Sequence, residues 1–68
     1  MNKKIIKTEL IENYIMDNKI SKSKFCRQCH IGYKTLKKVL HNQFDFDIVV
    51  LFKISRLLDI YIKDLFCS

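Results

Sequence analysis

Residues 21–40 read SKSKFCRQCHIGYKTLKKVL, and the spacing of their apolar side chains decides the fold. Phe25, Cys26 and Cys29 recur at helical intervals, and after a break at His30-Ile31-Gly32 so do Leu36, Val39 and Leu40. The stretch predicts two short helices, about 22–29 and about 33–41, around a tight turn. Ser21 stands at the N-cap of the first, its hydroxyl placed to accept from an orphan amide of the opening turn. On the second, Lys34, Lys37 and Lys38 point away from the apolar stripe.

The charge on this unit is one-sided. Between Asp17 and Asp45 lie seven basic residues (Lys19, Lys22, Lys24, Arg27, Lys34, Lys37 and Lys38) and no acidic one. A merely soluble surface intersperses both signs. A domain that pools positive charge on one supersecondary unit is built to meet a polyanion, usually nucleic acid. The net charge of +6 agrees.

The rest of the chain supplies the frame. Sixty-eight residues make a single domain, 1–68, near the lower limit for a chain that folds on its own core. Ile6, Leu10 and Tyr14, with Ile11 and Ile15, predict a first helix within 4–18. Asp47 is the expected N-cap of a fourth helix, 48–58, whose core stripe is Ile48, Leu51, Ile54, Leu57 and Leu58. A last turn or two covers Ile62 to Phe66. With no Pro and one Gly, the composition suits an all-α domain. No segment approaches the roughly 18–20 apolar residues of a membrane span. The basic start, with Lys3, Lys4 and Lys7, leads into an apolar run broken by Glu9, Glu12 and Asp17, unlike a secretory signal. Three cysteines fit free thiols in a reducing cytoplasm, so a cytoplasmic location is expected.

The pattern of residues 21–40 resembles the helix-turn-helix of the XRE family, to which the phage lambda repressor and Cro proteins belong. Counted from Lys22, the motif's apolar positions fall on Phe25, Cys29, Ile31, Leu36 and Val39, and its small position falls on Cys26. The stretch DIVVLFKISRLLDIYIKDLF, residues 47–66, is similar to the family's fourth and fifth helices, with Leu58, Ile60 and Leu65 at anchor positions. The likeness covers about 8–66 and implies a compact five-helix lambda-repressor-like domain. Its helix-turn-helix, about 21–41, is formed by the second and third helices. Two positions depart from the family. His30 stands where the turn normally has a left-handed Gly, and Gly32 comes two residues later. His tolerates positive φ better than most residues, and the anchor spacing of Ile31, Leu36 and Val39 favours His30 over Gly32 as the turn residue. Tyr61 replaces the usual Ser or Thr cap and leaves the fifth helix poorly capped.

The resemblance implies that the third helix enters the major groove while the second crosses the backbone. Carried over by position, Tyr33, Lys34, Lys37 and Lys38 are the base-contacting set, and Ser21, Lys22, His41, Asn42 and Gln43 the phosphate-contacting set. The implied function is a double-stranded-DNA-binding transcriptional regulator, a repressor in most such families. An antitoxin or mobile-element control protein with the same fold and a protein partner is the alternative. On a helical wheel, Val49 and Phe52 fall outside the fourth helix's core arc, and Ile62 and Phe66 recur at i, i+4. These four are the expected homodimer interface. A two-fold pair joined there sets two recognition helices about 34 Å apart on an inverted-repeat operator.

Cys26-Arg27-Gln28-Cys29-His30 formally matches the C-x-x-C-H haem-attachment signature, the remote alternative being a metal or haem protein. Haem attachment goes with export, and only Met1 and Met16 offer a thioether. Zinc would need His41 or Cys67 as a fourth ligand. The simpler account buries Cys26 and Cys29 as small hydrophobes between the motif helices, and no cofactor, metal or small-molecule ligand is expected. No Ser/His/Asp set, carboxylate pair or Gly-rich phosphate loop supports catalysis.

Overall fold

The computed structural model describes residues 5–67; Lys3, Lys4 and the Met1 thioether lie outside the described residues. Four α-helices follow one another: α1 (Thr8–Asp17), α2 (Lys22–Cys29), α3 (Tyr33–Leu40) and α4 (Val49–Leu58). The expected fifth helix is instead a single 3-10 turn, Ile62–Leu65. Tyr61 before it and Phe66 after it are both extended, and Tyr61 gives no side-chain cap, so only four residues remain to curl. A tighter ladder suits so short a piece.

The all-α expectation needs a second correction. Ile5–Ile6 (β1) pairs antiparallel with Phe66–Cys67 (β2), in the register Ile5 with Cys67 and Ile6 with Phe66. Ile6 therefore enters the core from a strand, not from the first helix, and is 2% exposed. Its backbone N–H donates to Asn42 Oδ1 at 2.6 Å, and Lys7 N–H donates to the Leu65 carbonyl at 2.7 Å. These bonds tie the entry of α1 to the end of α3 and to the 3-10 turn.

All four helices end in the same way. Lys19, His30, Asn42 and Asp59 have φ of 53°, 61°, 55° and 59°, and none is glycine. In each case this residue's N–H bonds the carbonyl three back, and the next N–H bonds the carbonyl five back: Ile20 to Ile15, Ile31 to Cys26, Gln43 to Lys38 and Ile60 to Ser55. That is the Schellman arrangement, which satisfies carbonyls a helix would otherwise leave open. Ile20, Ile31 and Ile60 then fold back onto the core, supplying the apolar contact that accompanies it. The His30 reading of the turn holds, for the chain's single glycine, Gly32, has φ −77° and is the N-cap of α3. Left-handed backbone is costly for L-residues, so glycine at the exposed, side-chain-free caps relieves strain. Lys19→Gly with Asp59→Gly is expected to raise the thermal midpoint by roughly 5–10 °C, at ~0.5–1 kcal/mol each. A lower midpoint in a melting curve would show that these caps are held by their side chains.

The core collects Phe25, Ile11, Leu36, Val39, Leu51, Ile54 and Leu65, all at most 1% exposed. Tyr14 meets Phe25 edge-on, with centroids 5.8 Å apart, and joins α1 to α2. Ser21 caps α2 as expected, its Oγ accepting from Lys24 N–H at 3.1 Å. Asp47 caps the start of α4: its carboxylate accepts from Val49 N–H at 3.0 Å, and its carbonyl accepts from Val50 N–H. Ile48, placed in the core stripe by the sequence, is instead 54% exposed because it sits in the opening turn ahead of the packed face. Buried Ser55 takes an inward position two turns later, its hydroxyl donating to the Phe52 carbonyl at 2.9 Å.

Candidate nucleic-acid interface

The outer face of α3 is polar and cationic. Leu36 and Val39 bury one side of the helix, which turns Tyr33, Lys34 and Lys37 outward at i, i+1 and i+4. Tyr33 is 48% exposed, with its ring at the helix start. Lys38 differs from its neighbours. Its Nζ donates to the Asp45 carbonyl at 3.2 Å and lies 3.4 Å from the Asp45 carboxylate, the only ion pair among the described residues. Asp45 is 92% exposed, so water screens the attraction. The pair nevertheless draws Lys38 toward the loop that follows α3. Sequence reasoning missed Asp45; a carboxylate seven residues beyond Lys38, in a loop, has no local periodicity to mark it.

The residues expected at phosphates fall at two ends. Ser21 and Lys22 sit at the N-terminus of α2, both exposed, and the Ser21 hydroxyl keeps its proton free to donate while its oxygen caps the helix. His41, Asn42 and Gln43 follow α3. The His41 Nδ1 lies 2.8 Å from the Lys37 carbonyl, so that ring is held against its own helix. Gln43 is exposed. Asn42 is engaged within the fold: its side chain accepts from Ile6 N–H and donates to the Ile6 carbonyl at 3.5 Å. Its amide latches the fold, and its left-handed backbone turns the chain away from α3.

Lys53 was also missed. From α4 its Nζ donates to the His30 carbonyl at 3.0 Å, placing a cation at the C-terminal end of α2 and pinning the turn between the motif helices.

The four expected dimer residues divide by exposure. Val49 and Phe52 are 47% and 49% exposed, beside Ile48, whereas Ile62 and Phe66 are half-buried and pack on the core.

Cys26 and Cys29 are buried, as the simpler account had it, and the Cys26 thiol faces the Gly32 carbonyl at 3.8 Å. Burial pushes both thiols up. Cys29 reaches about 11, first through burial and then through its neighbour Cys26, with Lys53 opposing. Neutral thiols neither attack nor ligate well. His30 is exposed, and among the described residues no three His, Cys, Asp or Glu side chains converge as a metal site would require. No helix of the described residues is long and apolar enough to cross a membrane.

No curated protein and no solved structure matches the chain. A family does. The profile of the Cro/C1-type HTH DNA-binding domain matches residues 11–67, a span that holds α2, the left-handed turn at His30 and the cationic face of α3. The chain belongs to the Cro/C1-type helix-turn-helix DNA-binding family.

Proposed function

We propose that the chain is a sequence-specific transcriptional regulator that represses by occupying an operator in duplex DNA. The observation that carries this reading is the outward face of α3, where Tyr33, Lys34 and Lys37 stand exposed with no carboxylate among them. In the proposed complex α3 lies in the major groove. Lys34 and Lys37 donate to guanine O6 and N7, each contact worth ~1–3 kcal/mol of discrimination. Tyr33 packs on a thymine methyl, and Lys38 reads the edge of the site when it leaves Asp45. Ser21, Lys22, His41 and Gln43 hold phosphates and set the register without reading sequence. Asn42 contributes chiefly by fixing that loop. The place of action is the cytoplasm, where a bacterial or phage operator lies.

The reading includes a homodimer on an inverted repeat, centred on Val49 and Phe52 and bordered by Ile62 and Phe66. Exposed apolar residues clustered on one helix support it. The same cluster favours one other reading, an antitoxin or mobile-element control protein whose chief target is a protein. Sedimentation of wild type and of Val49→Glu with Phe52→Glu separates them: a dimer that the variant abolishes supports the first, a monomer at tens of micromolar the second.

Selection from a random duplex library tests the function itself, and enrichment of one palindromic sequence is expected. On that sequence Lys34→Ala should relax preference at particular base pairs by roughly tenfold, while Lys22→Ala weakens all duplexes alike. If the two variants behave identically across a panel of duplexes, α3 is not the reading helix.

A further inference from the structure

Two adjoining clefts open along α2 and α4. One, of about 360 Å³, lies between the C-terminal end of α2, the turn and α4. The other, of about 250 Å³, lies along α2, and the two share Gln28. No residue of α3 and no carboxylate lines either. The floor of the larger is apolar, made by buried Cys29 and half-buried Leu57. Its rim carries Lys53, Arg56 and His30, and the smaller cleft adds Lys24 and Arg27. Among the described residues the only ion pair is Lys38 with Asp45, so none of these four cations is neutralised. Lys53 is anchored by its bond to the His30 carbonyl, which fixes one wall.

We propose that this groove is a docking site for an acidic segment of a partner protein, with an apolar side chain seated on Cys29 and Leu57 and carboxylates held by Arg27, Lys53 and Arg56. An uncompensated cationic rim selects for anions and steers their approach. The apolar floor selects among anions: a phosphodiester backbone has nothing to place there, whereas a Leu or Phe flanked by Glu has. The larger cleft falls at the lower end of ligand-pocket sizes, ~300–1,000 Å³, which suits one anchoring side chain. Because α3 contributes nothing to the groove, the segment can be held while the recognition helix is occupied. The chain then joins DNA to a second protein instead of only covering an operator.

The test uses the full chain labelled with ¹⁵N and a peptide of about ten residues alternating Glu and Leu, with a Glu/Ser peptide as control. The Glu/Leu peptide is expected to shift the amides of Gln28, His30, Lys53 and Leu57 with a Kd of about 100 µM, whereas duplex DNA shifts those of Tyr33, Lys34 and Lys37. Arg27→Gln with Arg56→Gln should weaken the peptide about tenfold and the duplex less than about threefold, and Lys34→Gln with Lys37→Gln should do the reverse. Equal binding of the Glu/Ser peptide overturns the apolar anchor, and no shift at millimolar peptide overturns the site. If instead the Arg27 and Arg56 changes cost duplex affinity as much as the Lys34 and Lys37 changes, the groove belongs to the nucleic-acid surface. That outcome leaves the DNA-binding reading intact, whereas absence of any duplex binding fails that reading alone.

Discussion

Raising salt from about 50 to about 200 mM is expected to weaken duplex binding roughly a thousandfold. Each phosphate neutralised by a Lys or Arg releases condensed counterions, so log affinity falls by ~0.9 per contact for every tenfold rise in salt. With about six of the seven cations of the acid-free window at phosphates in each monomer, the slope is near −5 and the loss about 10³ over that range. Lys38 adds least, because Asp45 already balances its charge. Asp45→Asn should therefore steepen the slope slightly, and Lys22→Ala should flatten it by about one unit. Fluorescence anisotropy at several salt concentrations reads these slopes directly. An affinity indifferent to salt would remove the electrostatic argument whatever the specificity proved to be.

The largest loss of stability from one surface side chain is expected at Asn42. Asn42→Ala leaves the part-buried Ile6 N–H without its acceptor and puts a less tolerant residue at φ 55°. An unsatisfied buried donor costs ~1–3 kcal/mol, and the backbone change adds to it, so a total of about 2–3 kcal/mol is expected. For a domain of this size that lowers the thermal midpoint by roughly 10–20 °C. Asn42→Gly divides the two causes, since glycine keeps the turn and loses only the amide. If Asn42→Ala melts with the wild type, the contact between β1 and the end of α3 contributes nothing to the folded state.

What the chain disclosed in advance follows the range of the interactions concerned. The motif helices, Ser21 and Asp47 were legible because helical period and capping chemistry are written within a few neighbours. His30 was legible as the turn residue because Ile31, Leu36 and Val39 fixed the frame around it. The two-residue strands were not, for alternation needs more than two positions to be seen, and Ile6 kept step with Leu10 and Tyr14 by coincidence. Nor was the bond from Asn42 to Ile6, whose partners stand 36 positions apart in the chain. In the candidate interface the cations were readable one by one. Their restraint was not, since Asp45 and Lys53 act across a loop and across the fold. The final 3-10 turn was misread as a helix because Ile62 and Phe66 share a face at that spacing, although Tyr61 lacked the side chain that would have started one.

The antiparallel pairing of Ile5–Ile6 with Phe66–Cys67 has a mechanical consequence. Residues 5 and 67 leave the ladder side by side, so tension drawn between them acts as on a zip: the Ile5 pair parts first and the Ile6 pair next, with no two rungs sharing the load. The next bonds to meet the force are those from Ile6 to Asn42, at the end of α3, and from Lys7 to Leu65. A tether pulling on both strands would therefore loosen the footing of α3 before it disturbed the core around Phe25.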